Sequence, residues 1–343
     1  MSRMLPPPET RATGIGAVPH LDPEVACQSV LRIYPDFPYV PTLPNRSVLE
    51  SIVFNDSEKL PGRIIREGRL LVDRTSDFSM EMEKIYIDFL EKNSEPYGIS
   101  VDYGSGFHSM MRYRFPEAYG LKCQITGPVT FGMQVVDGDR KPIAYDPQFA
   151  DVLPKMIALR AHWCETQMRM KTGVAETLII LNEPYFAALG SSVITIDIDT
   201  VRTGWDEIAG MVEGGLGIHC CSNTDWEFVM SLNPSVISFD AYEHSREFLL
   251  YREALAAYLE RGGIIAWGIV PADERVFSGE SMESLYQRYI DLRRSVTEYI
   301  PPRLLDSRSL ITPSCGIRFS DEKGAERIMQ AAADLSRRVR MLL

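Results

Sequence analysis

The sequence predicts a (β/α)8 TIM barrel, and three observations carry that prediction. Short apolar runs ending in Gly, Pro or polar residues recur along the chain, amphipathic stretches separate many of them, and no Gly-x-Gly-x-x-Gly opens a helix after the first run. Strand–helix alternation is the pattern of a parallel sheet with helices outside. Eight such runs in 343 residues fit a barrel, for which roughly 250 residues plus insertions is usual. A doubly wound open sheet is the alternative, and the missing glycine fingerprint lowers it.

In order, the predicted strands are 13–18, 39–43, 122–130, 177–181, 216–221, 236–240, 264–270 and 310–314. Amphipathic stretches at 150–171, 246–261 and 281–299 read as helices between them. Residues 44–120 break the alternation, being far longer than one helix and its loops. Within them, Glu67-Gly68 between short apolar runs predicts a β-hairpin over 63–73, and 79–93 reads as a helix. The expectation is one domain, 1–343, with 44–120 inserted over one barrel end.

Composition narrows the function classes. Hydrophobic residues at 45% and charged residues at 24% exclude wholesale disorder. A net charge of -11 argues against nucleic acid or an anionic membrane as the main partner. No apolar run reaches the roughly 18 residues of a membrane span. The opening MSRMLPPPETRATG lacks the apolar core of a signal peptide. A cytoplasmic protein with reduced thiols is expected.

In a barrel enzyme the active site lies at the carboxyl ends of the strands. The fifth strand ends in GIHCCSNTDW. His219 and Cys221 are two apart, so on a strand they face the same way and Cys220 faces the other. The eighth ends in ITPSCG, which puts Cys315 at the same rim. Imidazole and thiolate ligands suit Zn²⁺, and three protein ligands with an exchangeable position describe a catalytic site. Asp240, Glu243 or water is the candidate fourth ligand, and Asn223, Thr224 and Tyr242 are candidate supports for the ligands. Against this stands the ordinary role of cysteine as a small core hydrophobe, the reading preferred for Cys27, Cys123 and Cys164.

With these residues in hand, the chain resembles the superfamily of uroporphyrinogen decarboxylase and cobalamin-independent methionine synthase. The likeness runs from GIGAVPHLDPE (14–24) through ITGPVTFG (125–132), NEP (182–184) and HCCSNT (219–224) to PSCG (313–316). HCCSNT is also similar to the H-x-C-G-N-T of zinc methyltransferases that exchange methyl groups between corrinoids and thiols. The resemblance implies a barrel holding zinc at its carboxyl end and methyl transfer to sulfur. Folate-dependent methionine synthases have two related barrels and this chain has length for one, so the implied donor is a methylcorrinoid such as methylcobalamin, carried on a corrinoid protein. Homocysteine is the leading acceptor.

The resemblance also assigns site residues. Asn182 and Glu183 take the place of the family's Asp-Glu pair as catalytic and substrate-binding candidates, and Gly16-Ala17 takes the place of a Gly-Ser that binds the amino-acid carboxylate. Asn182 supplies no charge for an ammonium group, and Ala17 removes a hydroxyl donor. Both departures leave room for another thiol. Glu183 reads equally as a helix-start or ion-pair carboxylate. His20 and Asn223 complete the substrate-binding candidates, although Asp22-Pro23 beside His20 also reads as a helix start. His108, Arg112 and the wall residue Trp267 are lesser candidates; His162 and His244 read as helix or surface residues. The alternatives are a corrinoid methyltransferase with another acceptor or reversed direction, a tetrapyrrole decarboxylase, and a non-catalytic zinc-binding protein.

Overall fold

The computed structural model describes residues 3–75, 77–190 and 195–342. Helix α1 (Pro23–Ile33) starts as the sequence predicts, with the Asp22 carboxylate accepting from Glu24 N at 2.8 Å and Pro23 in the first turn. The predicted hairpin forms from β1 (Arg63–Arg66) and β2 (Arg69–Val72). Its turn places both Glu67 and Gly68 at positive φ, 50° and 71°, the requirement of a tight two-residue hairpin loop. Helices α2 (Ser79–Glu91) and α3 (Ser105–Met110) follow.

From β3 (Leu121–Thr126) onward the chain alternates. Helix α4 (Pro128–Gln134) begins inside the segment predicted as the end of a strand. Pro128 has no N–H to give a ladder and its ring suits a helix start. A two-residue strand β4 (Val136–Asp137) pairs with β2. The long α5 (Pro147–Thr172) is capped by Asp146 and closed by Gly173 at φ 77°. Then come β5 (Thr177–Asn182), α6 (Ile198–Met211), β6 (Gly215–Cys220), α7 (Trp226–Ser231) and β7 (Val236–Phe239). The stretch predicted as one helix over 246–261 is two, α8 (Ala241–Phe248) and α9 (Arg252–Glu260), because Leu249–Tyr251 leave the helix between them. Strand β8 (Ile264–Val270), α10 (Glu274–Phe277), α11 (Met282–Thr297), α12 (Pro302–Ser307), β9 (Ser309–Pro313) and α13 (Glu322–Arg340) complete the chain.

Six strands form one parallel sheet in the order β3-β5-β6-β7-β8-β9. The first two predicted strands appear as isolated bridges rather than ladders. Ala12 bridges Ile311 of β9, Ala17 bridges Thr42, and Tyr39 bridges Lys122 of β3, all parallel. Backbone bonds accompany them, Thr13 N to Ile311 O at 3.1 Å, Val18 N to Thr42 O at 3.0 Å and Val40 N to Lys122 O at 2.8 Å. Continuous pairing fails here for a chemical reason. Pro19, Pro38, Pro41 and Pro44 bracket or interrupt these segments, and each lacks a ladder donor. The sheet is therefore curled, its two edges linked through these segments.

Alternation along the strands sorts the side chains. One face packs against the helices in a continuous core that includes Ile179, Leu181, Ile218, Ile237, Phe239 and Trp267. The other face begins apolar, with Leu178, Ile180, Val236, Ile264, Ala266 and Leu310 packed together with Leu5 and Phe37. Two residues further along each strand, that same face becomes polar: Asn182 on β5, Ser238 on β7 and Thr312 on β9, with His219 on β6 beside them. The functional side chains stand on this polar end. No helix among the described residues is long and apolar enough to cross a membrane.

Candidate metal centre

His219, Cys221 and Cys315 meet as the strand ends predict. One ligand atom from each lies within 4.8 Å of the others, and among the described residues this is the one cluster of three or more His, Cys, Asp or Glu drawn together in this way. His219 is buried, and Ser238, its ladder partner on β7, places Oγ 2.9 Å from Nδ1. Nε2 is buried with no hydrogen-bond partner. A buried imidazole nitrogen left without a partner beside two sulfurs fits a metal ligand held in orientation through its other nitrogen. Cys220 points away, buried, with its sulfur 3.4 Å from Ser222 O.

The two sulfurs titrate together. The Cys221 thiol is pushed down, first by its hydrogen bond with Cys315 and then by the His219 imidazole. Cys315 is pushed up, first by Cys221 and then by burial. Without a cation the pair holds one thiolate, because two negative sulfurs this close repel. A divalent ion removes that restriction, and the donor set of one nitrogen and two sulfurs is that of zinc. The three residues fit the metal.

They line a cavity of about 240 Å³ at the carboxyl ends of the strands. Gln124, Asn182, Gly16, Ala17 and Thr42 contribute from the sheet and its bridging segments, Pro44, Glu50, Ser51, Ile52 and Asn55 from the segment after them, and Gly316, Arg318 and Phe319 from the loop after β9. The predicted Gly16, Ala17 and Asn182 are thus in place around the cluster.

Five other candidates are not. Asp240 lies outside the ligand cluster and caps α8, its Oδ1 accepting from Glu243 N at 3.0 Å; Glu243 is outside it too. Glu183 does not line the cavity. It accepts from Val129 N (3.0 Å), Thr130 N (2.8 Å) and Thr130 Oγ1 (2.7 Å) at the start of α4, while its side chain caps nothing in the turn that follows it in sequence. Burial pushes its carboxyl up to about 7 against the pull of those donors. Asn223 is exposed and accepts from the Trp226 indole at 3.1 Å. His20 is buried away from the cavity, Nε2 4.0 Å from Glu326 Oε1 on α13, and burial lowers its pKa.

The expected supports also differ. Thr224 binds Phe186 O at 2.7 Å and Tyr242 binds Glu280 at 2.6 Å, while Ser238 takes the place beside His219. Trp267 is no wall of the cavity, since it packs among Phe239 and Phe248 on the helical side. His108 Nε2 lies 2.7 Å from Ile99 O, and neither it nor Arg112 reaches the cavity. Cys27, Cys123 and Cys164 are buried as expected.

Two residues beside the site went unread in the sequence. Lys122 and Gln124 alternate with apolar neighbours in β3 and are buried on the polar face. Lys122 Nζ donates to Ile15 O at 2.6 Å and Gln124 Oε1 at 2.8 Å, and Gln124 Nε2 donates to Asn182 Oδ1. Burial without a carboxylate lowers the Lys122 pKa to about 7. The signal was there: two polar residues at period two inside a strand expected to be covered on both faces.

A scan against protein-family models and a search of curated proteins found no match. Solved structures do match over the full length. A B12-independent methionine synthase from Shewanella sp. W3-18-1, in complex with selenomethionine, superposes with a TM-score of 0.57 at 14% identity, covering 99% of this chain and 100% of that one. A putative vitamin-B12-independent methionine synthase from Listeria monocytogenes gives 0.58 at 12% identity, covering 98% and 99%. At such identities the likeness is one of fold. The motif resemblance and the three-dimensional one thus point to the same place, and this chain has the fold of the methionine synthase-like structures.

Proposed function

We propose that the protein is a zinc-dependent methyltransferase that moves a methyl group from a methylated corrinoid, carried on a protein partner, to a small-molecule thiol. The observation that carries this reading is the convergence of His219, Cys221 and Cys315 within 4.8 Å, with the buried His219 Nε2 unpartnered. Zinc held by these three residues would supply an open position at which a substrate thiol loses its proton near neutral pH. Ser238 fixes the imidazole, and the cavity walls place the acceptor. In the transfer the acceptor sulfur gains the S–CH3 bond, its proton leaves, and the donor keeps the electron pair of the bond that breaks.

A cavity of about 240 Å³ suits a small thiol. It lies below the usual range of roughly 300–1,000 Å³ for drug-sized ligands, which weighs against a tetrapyrrole substrate. Full-length correspondence with the two neighbours supports a single barrel, closed by the bridges at Ala12, Ala17 and Tyr39 into eight staves, with 44–120 inserted over its carboxyl end. The corrinoid donor is the one that the likeness of HCCSNT (219–224) to the corrinoid–thiol methyltransferases suggests. The neighbours are themselves described as B12-independent, so methyltetrahydrofolate is the control donor. Homocysteine, giving methionine, is the acceptor that the motifs suggest; Asn182 in place of an acidic residue favours the second reading, a different thiol or the reverse direction.

Metal analysis of the purified chain tests the reading first, with one zinc per chain expected and Cys315→Ser losing it. Proton release on adding thiol to the zinc-loaded chain, and methylated thiol formed from methylcobalamin but not from methyltetrahydrofolate, are then expected. A chain that neither carries nor takes up zinc would sink it.

A further inference from the structure

One stretch of the cavity wall is built around a strained residue. Val53 has φ 74° and ψ -48° between the short 3-10 turns Val48–Glu50 and Phe54–Asp56. Among the described residues it is the one aliphatic side chain at positive φ. A β-branched residue there is an outlier, close to the rare and strained γ-turn. Such strain persists only where the surroundings impose it, and it gathers at clamps and switches.

The surroundings here centre on Thr126, the last residue of β3 and the ladder partner of Asn182. Its Oγ1 accepts from Val53 N at 3.0 Å, and its own N–H donates to Asp56 Oδ2 at 2.7 Å. Asn55 N closes the loop by donating to Ser51 O at 3.0 Å. Ser51, Ile52 and Asn55, which this turn positions, line the cavity, and the buried Val53 and Thr126 stand behind them. Strain and clamp oppose each other. A hydrogen bond contributes only modestly on balance, and the cost of the Val53 backbone is of the same order. The held turn and a relaxed one therefore lie close in free energy. We propose that residues 51–55 form a two-position strap, latched by the Thr126 hydroxyl, whose release relaxes Val53 and widens the cavity on the side of the insertion.

Amide hydrogen exchange of the full chain tests it. The Val53 amide, though buried and hydrogen-bonded, should exchange at least tenfold faster than the ladder amides of β3. Val53→Gly gives up a buried side chain, which alone would loosen the loop. It should nevertheless slow exchange at positions 53 and 55 about tenfold, because glycine takes this φ without strain. Thr126→Val removes the latch and should speed exchange there about tenfold. Width is read by alkylating Cys221 and Cys315 of the chelator-treated chain with iodoacetamide and with the bulkier fluorescein maleimide. The bulky-to-small rate ratio should fall in Val53→Gly and rise in Thr126→Val. A Val53 amide as slow as those of β3, faster exchange in Val53→Gly, or a rate ratio unmoved by both variants overturns the strap. Should Val53→Gly fail to fold, Thr126→Val and the unaltered chain still decide it. Neither readout requires bound zinc, so failure here leaves the zinc–thiol reading standing.

Discussion

The His219 imidazole is held through Nδ1 by Ser238, its ladder partner on β7. Partners of this kind are worth roughly 10–100-fold in metal affinity. Ser238→Ala should therefore weaken zinc by that factor in a chelator competition, with far-ultraviolet circular dichroism unchanged; an unaltered affinity would reduce Ser238 to space filling. Lys122 makes a prediction of the opposite kind, about stability. Its pKa in the folded chain is about 7 against an ordinary 10.5, so between these values the unfolded chain binds more protons. Stability contributed by this residue rises with pH across that window. Urea unfolding at pH 7 and 9 should show a gain of about 2 kcal/mol in the native chain relative to Lys122→Met. A slope shared by both proteins would assign it to other groups. Neither role is visible from residue type: Ser238 and Lys122 look like a filler and a misplaced charge until the strands are paired.

The turn from β3 into α4 is where an element depends on a residue far away in sequence. Glu183 supplies acceptors for the first N–H groups of α4, and the backbone of Gly127 makes room for it. A Cβ at Gly127 would lie 2.2 Å from Glu183 Oε1 and 2.6 Å from its Cγ. Gly127→Ala should displace the carboxylate and destabilise the chain by about 1–3 kcal/mol, the cost of stranding buried partners. Chemical unfolding measures it, and a loss below about 0.5 kcal/mol would show that Glu183 moves aside freely. The Asp22 cap, the hairpin at Glu67-Gly68 and the Ser281 start of α11 were all legible, because each is written within a few residues. The break between α8 and α9 was not, because apolar residues continue across it.

For the whole molecule, the metal ligands tie β6 to the end of β9, two strands separated in the sheet by β7 and β8. A zinc bound only by the folded chain stabilises it by about 4 kcal/mol when present at a thousand times its dissociation constant. Removing it with a chelator should lower the melting temperature, and re-adding zinc should restore it. Cys315→Ser should melt near the chelated value with or without zinc. A melting temperature indifferent to chelator would argue that the cluster holds no ion.

Periodicity alone determined the alternating architecture, since a strand covered on both faces and the helix covering it leave different apolar patterns. The spacing His219-x-Cys221 likewise determined which side chains share a face, because strand alternation is a local property. Only the tertiary structure decided the rest. Asp240, Glu183 and Asn223 have the right chemistry for the site, yet the structure uses each to satisfy a backbone or indole N–H nearby, a competition that sequence cannot rank. The orientation of the Asn182 amide is decided further off still. It is set by Lys122 on β3 reaching a carbonyl at Ile15, and hydrogen-bond direction passes between residues that only folding makes neighbours.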